Sequence, residues 1–138
     1  MIAGFIIGLG AVTVVDMHGF LGRTSGYWTE ATIRAHKITK PLIWLGIALA
    51  IIGGVMLYAN VPFAGIPVWH TVIACVLVLN GCFLSFVVSP FLLQREKEGR
   101  ATELLPQELQ TKITLSFIVS FVGWWGAVVL LVMYIFGA

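Results

Sequence analysis

Asp16 and His18 are conspicuous because they interrupt an otherwise apolar run, Ile2 to Gly22, that is long enough to cross a bilayer. A carboxylate and an imidazole can move protons or hold metal ions, and at membrane depth such groups face a cavity or a partner because lipid cannot solvate them. A helix running to Gly22 with 1.5 Å of rise per residue places Asp16 about 9 Å inside its end. Arg23 lies seven positions from Asp16, on nearly the same helical face, so the carboxylate either forms a structural ion pair or is available for chemistry. His18 lies about 200° round the helix from Asp16, and one helix cannot readily direct both at one ligand.

His36 comes four residues before Lys40, where the next apolar run begins in the same leaflet. His18 and His36 are therefore expected to converge near one membrane face. Two imidazoles from neighbouring helices form a common axial pair for b-type haem, and with a carboxylate such as Asp16 they can hold a divalent metal. The spacing leaves both readings open, beside plain hydrogen bonding of the histidines to lipid or backbone.

Further along, Trp69 and His70 fall where amphipathic side chains mark a membrane boundary, and a boundary role is the reading favoured for His70. Asn80 is ten residues deeper, about 15 Å along the helix, and its amide must find a partner, most simply across a helix interface. Trp124 and Trp125 sit near mid-span, where they either pack or wall a pocket for a flat ligand such as haem, quinone or a carotenoid. Cys75 and Cys82, seven residues apart, read as small core residues. The chain carries no Cys-x-x-Cys-His, no His-Glu-x-x-His, no Gly-x-Ser-x-Gly and no Walker-type phosphate loop.

These residues have to be placed by helices. Of 138 residues 59% are hydrophobic and 10% charged, a balance far from that of a water-soluble domain. Apolar runs over residues 2–22, 41–59, 67–93 and 113–138 each suit a hydrocarbon core about 30 Å thick. The expected fold is all-α: a four-helix transmembrane bundle forming a single integral membrane domain over residues 1–138. All eight basic residues fall in two loops that share a side, Arg23, Arg34, Lys37 and Lys40 in one and Arg95, Lys97, Arg100 and Lys112 in the other. The opposite loop, residues 60–66, has no charge, so the two basic loops are expected in the cytoplasm and both termini outside.

With no basic segment before the first run and no small-residue cleavage site after it, that run is expected to stay in the mature protein. Residues 24–40 read as a short interfacial helix opening near Thr29 and Glu30, with Pro41 in the first turn of the second span. Residues 94–111 read as a solvated connector that packs Leu104 and Leu105 against the bundle, and Pro90 is expected to kink the third span. Small residues (Gly4, Gly8 and Ala11; Gly46, Ala50 and Gly54; Ser116, Ser120, Gly123 and Ala127) mark faces for close helix packing, within the chain or between copies.

The segment Arg34 to Val55, RAHKITKPLIWLGIALAIIGGV, resembles the second helix of the copper-resistance CopD-like superfamily, in which a basic lead-in runs into an apolar span ending in small residues. Asn80-Gly81 with Val88-Ser89-Pro90-Phe91-Leu92-Leu93 resembles the end of that group's third helix. The group includes small four-helix domains of unknown function and a haem-containing protoporphyrinogen oxidase. The resemblance implies a four-helix fold and haem or copper as ligands. Its members often carry an early His in the first helix, followed by a Trp and paired glycines. Here that helix reads GLGAVTVVDMHGF, so the resemblance assigns no role to His18.

The leading expectation is a b-type haem-binding redox or haem-handling protein, with His18 and His36 as ligands and Trp124 and Trp125 lining the pocket. One alternative is a copper transport or tolerance protein using Asp16, His18, His36 and Met17, with Cys75 and Cys82 as softer donors. Another is a non-catalytic membrane subunit or assembly factor that docks a partner. Expected neighbours are the lipid bilayer, anionic head groups at the cytoplasmic face, and a further copy or a membrane partner, with no nucleic acid. The short chain without an organellar targeting segment points to a bacterial inner membrane.

Overall fold

A computed structural model describes residues 1–137, so the final residue of the fourth run, Ala138, lies outside the described residues. The chain is helical throughout: α1 (Ile2–Leu21), α2 (Gly26–Tyr58), α3 (Ile66–Phe83), a π-helical turn (Leu84–Val88), α4 (Ser89–Lys97) and α5 (Gln107–Phe136). Because α3, the π turn and α4 run on without a break, the architecture is four rods, each long and apolar enough to cross a membrane. The protein is a four-helix bundle built for lipid.

α1 and α2 are antiparallel and meet backbone to backbone. A Cβ on Gly4 would come within 2.6 Å of the Gly46 carbonyl oxygen, and one on Gly46 within 2.5 Å of the Gly8 Cα. No side chain fits between them. In lipid, where apolar surface gains little by leaving the solvent, such close backbone approach supplies the van der Waals contact that holds helices together. The small-residue faces of the first two spans are thus used within the chain. Gly8 also makes room for the Trp124 ring, which is 1% exposed and packs with Phe5, Val12, Ile47, Leu77, Ala127 and Leu131 in the main core.

Two helix boundaries differ from the sequence expectation. α2 starts at Gly26 and runs straight through Pro41, where a separate interfacial helix was expected to give way to the second span. Ending a helix at the membrane face would strand several backbone groups, whereas an internal proline removes one hydrogen bond. Thr29, expected near the helix start as a cap, is instead buried inside the first turns, its Oγ1 donating to the carbonyls of Gly22 (2.9 Å) and Ser25 (3.0 Å).

Near Pro90 the distortion takes the form of the π turn, whose widened hydrogen bonding runs from the Ser89 N–H to the Leu84 carbonyl. In that register Pro90 has no N–H for the Ser85 carbonyl. Lys40 Nζ donates to that oxygen from α2, at 3.3 Å.

The three longer rods overshoot the hydrocarbon. At 1.5 Å per residue α1 is about 30 Å long, while α2, with 33 residues, is about 50 Å. Counting about twenty residues from the charge-free ends of α2, α3 and α5 leaves the basic ends of these rods projecting beyond the lipid core. A second buried cluster, Ile33, Val88, Leu92 and Ile113, fills this projecting part.

The connector to α5 is less solvated than expected. Arg95 is only 5% exposed and reaches Glu103 Oε2 at 3.2 Å and the carbonyls of Glu103 and Leu104 at 3.3 Å. Leu105 packs on the second cluster, while Leu104 stays exposed.

Candidate functional site

Polar side chains gather at two places in the bundle. At the basic end, Asp16 Oδ2, His18 Nδ1 and His36 Nε2 are buried atoms without hydrogen-bond partners. The α1–α2 register pairs Met1 with Gly53, Gly4 with Ala50 and Gly8 with Gly46, and then Gly22 with Thr29 across the turn. His18 therefore stands level with residues 33–36, within a helical turn of His36. The His18 ring lies against Trp28, with centroids 5.3 Å apart, while His36 lines a narrow cleft of about 60 Å³ between α1, α2, the π turn and α5.

The Asp16–Arg23 ion pair, one of the two readings of that spacing, does not form among the described residues. α1 ends at Leu21, so Arg23 lies in the following turn and leaves the helical face that spacing alone assigned to it. Its guanidinium sits over the Phe20 ring, 5.4 Å from the centroid. Among the described residues no group of three or more His, Cys, Asp or Glu side chains is placed to hold a metal ion, so Asp16, His18 and His36 do not make a three-ligand centre. The roughly 200° between Asp16 and His18 on one helix accounts for this.

At the charge-free end α2 and α3 diverge and leave a cleft of about 720 Å³ with almost wholly apolar walls. His70 closes its floor. Expected at the membrane boundary, it is 6% exposed and bonded on both ring nitrogens, because α3 turns this face toward α2 and α5. Nε2 lies 2.8 Å from the Ala127 carbonyl oxygen, and Nδ1 lies 2.6 Å from the Tyr58 hydroxyl. A carbonyl can only accept, so Nε2 carries the proton, Nδ1 accepts, and Tyr58 is the donor to it. The phenol oxygen keeps its lone pairs for the cleft. Tyr134 packs edge-on against Tyr58, with centroids 5.0 Å apart.

The remaining predicted residues divide between the core and the surface. Trp124 lines the inner wall of the wide cleft, whereas Trp125 is 46% exposed on the outer face of α5, so the two indoles do not wall one pocket. Consecutive helical residues point about 100° apart, which separates them. Asn80 finds its interhelical partners: Nδ2 donates to the Ser116 carbonyl (3.0 Å) and Ser120 Oγ (2.9 Å), and Ser116 Oγ donates back to Oδ1 (2.6 Å). Cys75, expected in the core, is exposed at the cleft because the neighbouring helix has moved away there, and Cys82 is half-buried. Met17 is exposed.

Sequence reasoning passed over Tyr58 and Tyr134. A usable signal was present: Tyr58 ends the second span and His70 lies in the first turns of the third, across the uncharged seven-residue loop 59–65, which keeps them near one end of the bundle.

No protein-family model matches the chain, and no curated protein or solved structure is significantly similar to it. Fold and site define it as a four-helix integral membrane protein whose described residues form a wide apolar cleft between α2 and α3 and a narrow cleft at the basic end.

Proposed function

We propose that this chain binds a lipophilic molecule carrying a hydroxyl group, of the quinol or isoprenoid-alcohol class, in the cleft between α2 and α3. The observation that carries this reading is the chain of hydrogen bonds from Tyr58 through His70 to the Ala127 carbonyl at the floor of that cleft. Because His70 commits the Tyr58 proton, the phenol oxygen offers only lone pairs, and the matching ligand group is a donor. Thr71, whose Oγ1 donates to the Pro67 carbonyl, offers lone pairs in the same cleft. The volume, about 720 Å³, falls within the roughly 300–1,000 Å³ of small-molecule sites.

The test is mass spectrometry of organic extracts from protein purified out of its membranes. Wild type is expected to carry about one hydroxylated lipophile per chain, and Tyr58→Phe to lose most of it while retaining its fold. Extracts that contain only phospholipid in the proportions of the host membrane would sink the reading.

A b-type haem at the basic end is the second reading. It is favoured by two imidazoles at one level with buried, unpartnered nitrogens, and the proposed kinship with CopD-like proteins points the same way. Space counts against it. The cleft beside His36 holds about 60 Å³, so a porphyrin would require α1 and α2 to part from α5. An oxidised and dithionite-reduced spectrum of the purified protein, repeated for His18→Ala and His36→Ala, decides it through a Soret band lost in either variant. The wealth of Lys and Arg in the two basic loops supports a cytoplasmic location for that end in this reading, at a bacterial inner membrane. Copper handling draws less support, since Met17 is exposed and Cys75 lies at the wide cleft, at the other end of the bundle from Asp16, His18 and His36.

A further inference from the structure

Two cations without a carboxylate partner, Arg23 and Lys40, stand in the mostly apolar lining of the narrow cleft at the basic end, and of the two Lys40 donates to the Ser85 carbonyl. Arg34, Lys37, Arg95, Arg100 and Lys112 are matched by Glu30, Glu96, Glu103, Glu98 and Glu108 in ion pairs. Among the described residues Arg23, Lys40 and Lys97 have no carboxylate partner. Arg23 and Lys40 both line this cleft, as does His36, whose buried Nε2 has no hydrogen-bond partner. Two of three unmatched cations and an unsatisfied imidazole thus meet at one opening, while every glutamate is engaged elsewhere.

From this geometry we infer that the cleft is a binding site for the phosphate of an anionic phospholipid, held by Arg23, Lys40 and His36, with an acyl chain continuing along its apolar wall. The size fits. About 60 Å³ is several times the roughly 10–15 Å³ that one water needs, which gives a phosphate group room inside the cleft while the acyl chain leaves over its apolar edge toward the lipid. The wall below the cations is apolar, formed by residues such as Val15, Ile43, Leu84 and Phe117. The depth fits as well: Arg23 and Lys40 lie about where twenty-residue crossings of α1 and α2 end, at the level of head groups. This site is separate from the wide cleft, and its ligand is recognised by charge, so either proposal can fail without the other.

The test is native mass spectrometry of the full chain in an uncharged detergent, titrated with phosphatidylglycerol or phosphatidylcholine of the same acyl chains. One phosphatidylglycerol is expected to bind per chain, at least tenfold more tightly than phosphatidylcholine. Arg23→Gln combined with Lys40→Gln should weaken it about tenfold to thirtyfold, as expected for two basic side chains near an anionic group. His36→Gln should weaken it by a smaller factor. Lys97→Gln, which removes the unmatched cation outside the cleft, should change it less than twofold. Arg23→Gln alone, in an exposed turn, reads the same site if the double variant does not fold. Equal affinity for the two lipids, or a loss with Lys97→Gln as large as with the double variant, would overturn the inference. So would displacement of the lipid by millimolar inorganic phosphate, which would make the ligand a free anion.

Discussion

α2 takes part in two seams that differ in almost every physical respect. Against α1 it offers Gly46 and Ala50 to Gly4 and Gly8, and the backbones touch. Against α3 it offers Ala50, Ile51, Gly54, Val55 and Tyr58 to a cleft of about 720 Å³. One helix can therefore close on one neighbour and stand off from another, and what decides between them is the residue facing it. Glycine opposite glycine admits contact along the helix, whereas isolated small residues opposite branched side chains do not. The open seam is also where the half-buried Tyr58 meets the buried His70, so hydrogen bonding from His70 to α2 and α5 does part of the work that packing does on the other side.

The contrast can be tested by substitution, starting from the most severe change. Trp124→Ala removes the 1%-exposed ring seated on Gly8, and should cost about 3–5 kcal/mol in denaturant unfolding from mixed micelles. A loss under about 1 kcal/mol would mean that the indole is not the keystone of the core. Gly46→Leu puts a side chain where the Gly8 backbone lies and should cost about 3 kcal/mol, at the upper end of overpacking penalties. Asn80→Leu tests the seam between α3 and α5, where three hydrogen bonds are lost but lipid tolerates the replacement. About 1 kcal/mol is expected there, in keeping with interhelical hydrogen bonds in membranes. Ala74→Leu adds the same kind of bulk as Gly46→Leu but into the open seam, and should shift stability by less than about 0.5 kcal/mol while blocking the ligand cleft. If Ala74→Leu proved as costly as Gly46→Leu, the two seams would not differ as described.

Much of this architecture was legible in the residue order. Four apolar runs gave four rods, because a bilayer imposes a minimum length that composition reveals directly. Asn80 was placed correctly between helices, since an amide at that depth has few alternatives. What could not be read were directions set by local breaks. Arg23 left the Asp16 face because α1 ended two residues before it, and helix ends are poorly marked when no capping side chain is used. His70 and Trp69 are neighbours in sequence, yet one is buried and the other exposed, and only the position of α2 and α5 decides which. The same holds for Trp124 and Trp125. Residue type singled out the polar and aromatic positions that matter, but orientation about the helix axis depended on partners that a single sequence does not display.

The short first helix has a consequence for temperature. Because α1 stops after about 30 Å while the other three rods continue, Ile33, Val88, Leu92 and Ile113 form a cluster at the basic end apart from the one around Trp124, and a crossing of about twenty residues leaves that end cluster in water. Only the end cluster gains stability from expelling water, and that gain weakens on cooling because it rests on a large heat-capacity change. Cold should therefore loosen the molecule from its basic end first, with faster amide exchange in residues 26–40 and 89–112 than around Trp124, whereas heating should spare that order.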